Sequence, residues 1–303
     1  MNASPFTDDW LSGMFARRNQ HTIARPSRVS GFGYWSGRDV TVEFRPAASS
    51  TGVVFVRSDL PGRPRIPASV AFRTATPRRT NLTCDDVNVE MIEHVMAALA
   101  GLEIDNCEVW VDQAEMPGLD GSALPLVNAL DDAGLVEQPH RRARCAVRRP
   151  IRLGTVESWI EARPCCSGRT ILQYELDYGP GNPIGRQQRE LVLTPETFRQ
   201  ELTPCRTFTL EAEAAALQQK GLGHRVTYQD ILVFGPNGQI DNVLRFPDEC
   251  VRHKLLDMVG DLALAGCDLP GRFSAYRSGH HLNGELVQTL LAKQQVQKLK
   301  RCA

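Results

Sequence analysis

What this chain of 303 residues lacks narrows its identity first. It has no excess of either charge, because 35 Lys and Arg balance 35 Asp and Glu. A formal net charge of zero argues against the broad basic face of a nucleic-acid binder, and leaves room for one local basic pocket. No apolar run approaches the roughly 18 residues of a membrane-spanning helix. The opening stretch, MNASPFTDDWLSGMFARRNQ, carries early Asp residues and no apolar core, so a secretory signal is not expected. A loosely held extension over residues 1–20 is expected instead. There is no C-x-x-C pair. The nine cysteines are scattered, with Cys165 and Cys166 adjacent. That pattern fits free thiols in a reducing cytoplasm better than a disulfide framework or a zinc ribbon.

What is present fits a globular protein with a substantial core, at 42% hydrophobic and 23% charged residues. The length suits one large domain or two of about 150 residues. The segment EQPHRRARCAVRRP, residues 137–150, is polar, basic and ends in Pro. It follows a helix-like stretch, ALPLVNALDDAGL, closed by Gly134. This is the best candidate linker, and it divides the chain into domains 21–140 and 141–303.

The two halves echo each other. EMIEHVMAALAG places Glu90, His94 and Gly101 at the spacing at which ECVRHKLLDMVG places Glu249, His253 and Gly260. Strand-like VTVEFRPA and TGVVFVRS precede the first helix, and RVTYQDILVF precedes the second. CEVWVDQAE and GRFSAYRSG follow them. Alternation in TVEF and CEVWV predicts sheets with one solvated face. The expected fold class is α+β: two similar domains, each a β-sheet layered with a helix pair. Between the echoed helices, TPETFRQELT and the Ala-rich TLEAEAAALQQKG are helical by propensity, the latter closed by Gly221.

In VRHKLLDMVGD, His253 and Asp257 lie four apart and so share one helix face. Such a pair is either a helix-surface hydrogen bond or part of a metal site. MIEHVMAALAGL is apolar except for Glu93 and His94, which read either as a rim pair or as chemistry. Taken together, His94, His253 and Asp257 offer two nitrogens and one oxygen. That is the usual protein share of a catalytic zinc site, with the fourth position open for water. Glu93, next to a ligand and turned about 100° away, then suits a general base. YRSGHHLN places His280 and His281 on a loop before the helix NGELVQTLLAKQQ. A histidine there is either solvent-facing, or a general acid or cation facing a leaving amine.

Several segments are more specific than this. GFGYWSG, EHVMAALAGLEIDNCEVWV, MPGLDGSA, CRTF, RFPDECVRHKLLDMVGDLALAG and YRSGHHLN occur in the order found in one family. From about His21 to Lys293 the chain resembles the zinc-dependent UDP-3-O-acyl-N-acetylglucosamine deacetylases of lipid A biosynthesis in Gram-negative bacteria. The resemblance implies a duplicated β-α-α-β sandwich with the active site between the domains. It implies Zn2+ on His94, His253 and Asp257, Glu93 as base and His280 as the charged histidine. Thr207 would meet the oxyanion, Asp261 would orient the catalytic histidine, and Lys254, Arg277 and Phe208 would contact substrate. It also implies a monomeric cytoplasmic enzyme of a small UDP-linked acylated sugar. Such an enzyme would touch a membrane surface, if at all, through its acyl substrate.

The chain departs from the family at two places. Tyr34 and Trp35 stand where the family has Leu and His, and His224 and Arg225 stand where it has a Gly-Gly-Ser turn. The preceding segment, which lines an acyl-chain tunnel in the family, carries Glu211 and Glu213 here. Arg225 is expected to neutralise one of them. Two alternatives stay open: a paralogue acting on another acetamido sugar nucleotide, and a non-catalytic binding protein of the same fold.

Overall fold

Alternating burial dictates the two main sheets in the computed structural model, which describes residues 18–302, with side chains described through Lys293. In strand Asp39–Pro46 the side chains of Val40, Val42 and Phe44 are buried and their neighbours are not. In strand Thr170–Asp177 the same is true of Leu172, Tyr174 and Leu176. The first five-stranded sheet has the order Ser27–Phe32, Asp39–Pro46, Cys107–Val111, Val53–Arg57, Arg65–Pro67. The second has the order Ile151–Gly154, Trp159–Arg163, Gly271–Tyr276, Thr170–Asp177, Arg186–Val192. In each sheet the central strand comes last in the chain. In each it is parallel to one neighbour, and every other pairing is antiparallel. The echo read from three residues thus extends to the whole topology.

A parallel pair needs a crossover connection. Six helices are present among the described residues: α1 (Glu93–Gly101), α2 (Leu124–Ala133), α3 (Pro195–Thr197, running into a π turn at Phe198–Leu202), α4 (Glu211–Gln219), α5 (Glu249–Ala263) and α6 (His280–Cys302). The crossovers carry α1 in the first half and α5 in the second, and α2 and α6 follow the two central strands. Each half is therefore a sheet with a helix pair, as expected for the α+β class. Before α1 the first half inserts a small sheet, Arg73–Thr74, Asn81–Cys84 and Val87–Val89. Before α5 the second half inserts another, Phe208–Leu210, Leu232–Gly235 and Gly238–Gln239.

The halves meet at α1 and α5. A Cβ on Gly260 would lie 2.0 Å from the backbone oxygen of Glu93, so only glycine allows this approach. As a result α5 is enclosed on all sides, and only Lys254 and Ala263 of its fifteen residues escape full burial. Buried charge is costly unless paired, and here each charge has a partner. Glu249 accepts from Arg206 Nε at 2.8 Å. Arg252 donates to Asp248 at 2.6 Å and to Glu201 at 2.5 Å.

Local expectations differ from the structure at four places. Leu135–Arg141, which overlaps the candidate linker, is a strand paired antiparallel with Asn19–Ile23. Its side chains are exposed except Gln138, which accepts from Asn106 Nδ2 at 2.7 Å and donates to Ala47 O at 2.8 Å, while its backbone satisfies an edge. Asn19 and Gln20 thereby belong to a strand, and residues 1–17 of the expected extension lie outside the described residues. Of RVTYQDILVF only Leu232–Gly235 is a strand; Asp230 turns back on Thr227 through its carboxylate. His280 is the first residue of α6 rather than part of a loop.

The fourth difference is Arg225, which does not neutralise a glutamate of α4. It bonds Gly37 O and Asp39, each at 2.7 Å, and covers the ring of Phe32. Glu213 has closer partners in Thr209 Oγ1 and Arg78 Nη2, both at 3.1 Å. The eight cysteines with described side chains are all free thiols. No helix among the described residues is long and apolar enough to cross a membrane.

Candidate active site

The site forms where the start of α1, the middle of α5 and the start of α6 converge. The entry into α1 is held tightly. Met91 adopts a left-handed conformation with φ 58°, and its amide donates to Asn81 Oδ1 at 3.2 Å. The next amide, of Ile92, donates to Thr80 O at 3.1 Å. Glu93 and His94 therefore stand on the first turn of α1 and face α5. At α6, Ser278 Oγ donates to Asn283 Oδ1 at 2.9 Å, and the buried Tyr174 hydroxyl donates to Ser278 O. These bonds fix the turn that presents His280.

Three of the expected residues meet as a cluster. One ligand atom from each of His94, His253 and Asp257 lies within 4.8 Å of the others. Asp257 Oδ1 is 3.6 Å from His94 Nε2 and 3.4 Å from His253 Nε2. The two imidazoles meet edge to face with centroids 5.1 Å apart. His253 Nδ1 lies 3.1 Å from Cys205 O, which assigns the proton to Nδ1 and turns the Nε2 lone pair inward. Burial lowers the His253 pKa to about 4, so the ring is neutral. Burial works against the charge of Asp257, yet Lys254 and His253 hold its carboxyl well below the usual range. Two imidazole nitrogens and an ionised carboxylate at this spacing fit a divalent metal ion with one position open.

Glu93 is buried, and its Oε2 accepts from Thr80 N at 2.9 Å. Burial raises its pKa against the pull of His280 and His94. His280 is also buried, and its Nδ1 lies 2.9 Å from Asp261 Oδ2. Burial alone would lower the His280 pKa, but Asp261, with Glu93 and Asp257, raises it to about 9. One carboxyl held high and one imidazole held high, on opposite helices, is an arrangement suited to proton transfer.

The remaining expected residues lie at different distances from this cluster. Thr207 Oγ1 is 3.3 Å from His253 Nε2 and donates to Gly121 O at 3.1 Å. Thr207 N also donates to Gly121 O, at 2.8 Å, so the MPGLDGSA segment holds this threonine in place. Phe208 sets its ring edge-on to His253, with centroids 6.0 Å apart. Lys254 turns inward and donates to Asp257 Oδ2 at 2.6 Å. Burial works against its charge, but Asp257 raises its pKa above the ordinary range. Arg277 is exposed, with φ 49°, and adds positive charge near Asp177 and Tyr174. Trp35 carries the Arg79 guanidinium over its ring at 4.5 Å, and its amide donates to Glu115 at 2.8 Å.

Two contributors went unassigned in the sequence. Asn283 donates to Asp261 Oδ2 at 2.8 Å, and its place in YRSGHHLN, three residues after His280, could have drawn attention to it. Thr80 bonds both Glu93 and Asp261, and no local pattern marks it.

The duplicated fold and the His–His–Asp cluster between a buried glutamate and a histidine–aspartate pair define a candidate metal-dependent acid–base site. Comparison with known proteins then gives the family. Residues 20–292 match the family model described as LpxC, UDP-3-O-acyl N-acetylglycosamine deacetylase. The chain is 38% identical over 275 residues to the UDP-3-O-acyl-N-acetylglucosamine deacetylase of Chlamydia abortus, covering 90% of this chain and 97% of that one. Against the protein of the same name from Brucella ovis it is 38% identical, covering 90% and 95%. Against that of Syntrophotalea carbinolica it is 37% identical, covering 90% and 88%. The chain belongs to the UDP-3-O-acyl-N-acetylglucosamine deacetylase family.

Proposed function

We propose that this protein hydrolyses the acetamide of UDP-3-O-acyl-N-acetylglucosamine, releasing acetate and UDP-3-O-acyl-glucosamine for lipid A biosynthesis in the cytoplasm. The observation that carries this reading is the convergence of Glu93 and the His280–Asp261 pair on the His94, His253 and Asp257 cluster, inside a buried seam between the halves. We assign Zn2+ to that cluster. When bound there, zinc supplies Lewis acidity toward water and toward the substrate carbonyl.

The chain's own groups do the rest. Glu93 takes a proton from the attacking water as the oxygen bonds to the carbonyl carbon. Its raised pKa makes it both an effective base and, once protonated, a competent acid. The hydroxyl of Thr207, after turning from Gly121 O, is the donor assigned to the oxyanion, and protonated His280 adds positive charge beside it. The C–N bond then breaks, and His280 or Glu93 protonates the departing amine. Asp261 keeps His280 oriented and charged. Phe208 walls the site, and Lys254 and Arg277 are assigned to the anionic part of the substrate, Lys254 after turning from Asp257. The protein acts as a monomer and meets membranes only through its substrate's acyl chain.

The test is to load the protein with zinc, count metal per chain, and assay acetate release from the sugar nucleotide with and without its 3-O-acyl chain. One zinc per chain and preferred hydrolysis of the acylated substrate are expected. Equal rates on both substrates would point to a paralogous specificity, and metal binding without amide hydrolysis would sink the enzymatic reading.

A further inference from the structure

Thr80 is buried, lies in the first half's insert just before strand Asn81–Cys84, and belongs to none of the helices that carry the site. Yet its three polar groups all go to that site's supports. Its carbonyl accepts from Ile92 N at 3.1 Å, at the entry to α1. Its amide donates to Glu93 Oε2 at 2.9 Å. Its hydroxyl donates to Asp261 Oδ1 at 2.6 Å. Asp261 spends its other oxygen on His280 Nδ1 at 2.9 Å and Asn283 Nδ2 at 2.8 Å. One residue therefore bonds the first half's buried glutamate and also the second half's carboxylate beneath His280.

The segment that carries Thr80 is itself anchored on both halves. Arg78 pairs with Glu213 at 3.1 Å, and Arg79 pairs with Glu90 at 3.0 Å. A buried carboxylate oxygen that loses its only donor carries a desolvation cost, and the group turns to recover a bond. For Asp261, turning means loosening its hold on the His280 ring.

We infer that Thr80 is a positioning residue: its hydroxyl, by occupying Asp261 Oδ1, holds Asp261 Oδ2 on His280 Nδ1, while its amide holds Glu93, so the two proton-handling groups keep one fixed separation. The inference rests on the proposed reading of the site. Thr80 touches neither the metal-ligand cluster nor a reacting atom, and it acts only through Asp261 and Glu93.

Thr80→Val removes the hydroxyl and keeps shape and amide, whereas Thr80→Ser keeps hydroxyl and amide. In the metal-loaded full-length protein, Thr80→Val is expected to lower kcat about tenfold to a hundredfold, the usual effect of removing a supporting bond behind a functional group. KM and metal content should stay as in wild type, and Thr80→Ser should restore most of kcat. In the metal-free protein, NMR should show the His280 ring N–H signal shifted or exchanging faster in Thr80→Val and native-like in Thr80→Ser. If Thr80→Val does not fold, Thr80→Ala takes its place with the same expectation. Native kcat in the hydroxyl-free variant, or equal damage in Thr80→Ser, overturns the inference. If wild type itself binds metal but releases no acetate, the functional reading fails, and the NMR comparison alone decides whether Thr80 controls the His280–Asp261 pair.

Discussion

Helices α1 and α5 occupy equivalent places in two sheets of the same strand order, and the segments that carry them share Glu, His and Gly at the same spacing, although Glu90 precedes α1 and Glu249 opens α5. Only the histidine keeps its role. His94 and His253 meet across the pseudo-symmetric seam. Glu90 is partly exposed and pairs with Arg79, whereas Glu249 is fully buried and held by Arg206. Gly260 admits the backbone of α1, whereas Gly101 admits the ring of Phe198, which a Cβ would approach to 2.3 Å. Central α5, buried all round, carries two members of the metal-ligand cluster and Asp261. Helix α1, with only His94 and Ala100 short of full burial, carries one, together with Glu93. Duplication supplied two matching helices, and the different partners of their echoed residues separated the chemistry between them.

The sharpest way to break this division is to remove a ligand from each helix. His94→Ala and Asp257→Ala should both abolish activity and metal binding, because two protein ligands make a poor site. Only the α5 variant should also be much less stable without metal. It strands the Lys254 ammonium, and breaking such a buried pair costs about 3–5 kcal/mol. Metal analysis and denaturant unfolding of the apo proteins measure both effects, and a full metal complement in either variant removes that residue from the ligand set.

Glu93→Gln tests the special role of α1. It should retain metal and lose about 10²–10⁴ in rate. In wild type the rate should rise with pH as Glu93 loses its proton, above the ordinary carboxylate range, and fall as His280 loses its own near pH 9. The residual activity of the Gln variant should lack the acid limb.

The echoed glycines give a smaller contrast. Alanine at either position overpacks a close contact, an effect of about 1–3 kcal/mol. At Gly260 the obstacle is backbone, so the halves must separate, and both melting temperature and metal affinity should fall. At Gly101 the obstacle is a side chain, and only the melting temperature should fall. Equal metal affinity in both variants would show that the seam tolerates movement.

The smallest expected effect lies in the second half's insert. No residue of α4 is buried, and its alanines offer little wall for an alkyl chain. Each methylene added to the 3-O-acyl group should raise kcat/KM by less than the about fourfold that ~0.8 kcal/mol implies. A rise of the full size across chain lengths would show a closed apolar tunnel.

Much of this was legible because it is local. Alternation in TVEF and CEVWV marks strands, and Gly134, with φ 75°, ends α2 where the sequence predicts a stop. The i, i+4 spacing sets His253 and Asp257 on one face. What stayed hidden depends on partners far along the chain. Leu135–Arg141 reads as a linker because its side chains are polar, but it becomes a strand because Asn19–Ile23 offers it an edge. Arg225 finds Asp39 rather than a glutamate on its own insert, because the fold brings residues 37–39 closer.

By itself the sequence determined the α+β class, the echo of two helices and the residue types able to bind a metal, since periodicity and spacing act within a few turns of chain. Tertiary structure decided that α1 stands against α5, that Glu93 and His280 become buried and shift their protonation in the same direction, and that Thr80 joins them. Those outcomes depend on burial and on distances between segments far apart in the chain, 181 residues from Thr80 to Asp261, and no local pattern encodes them.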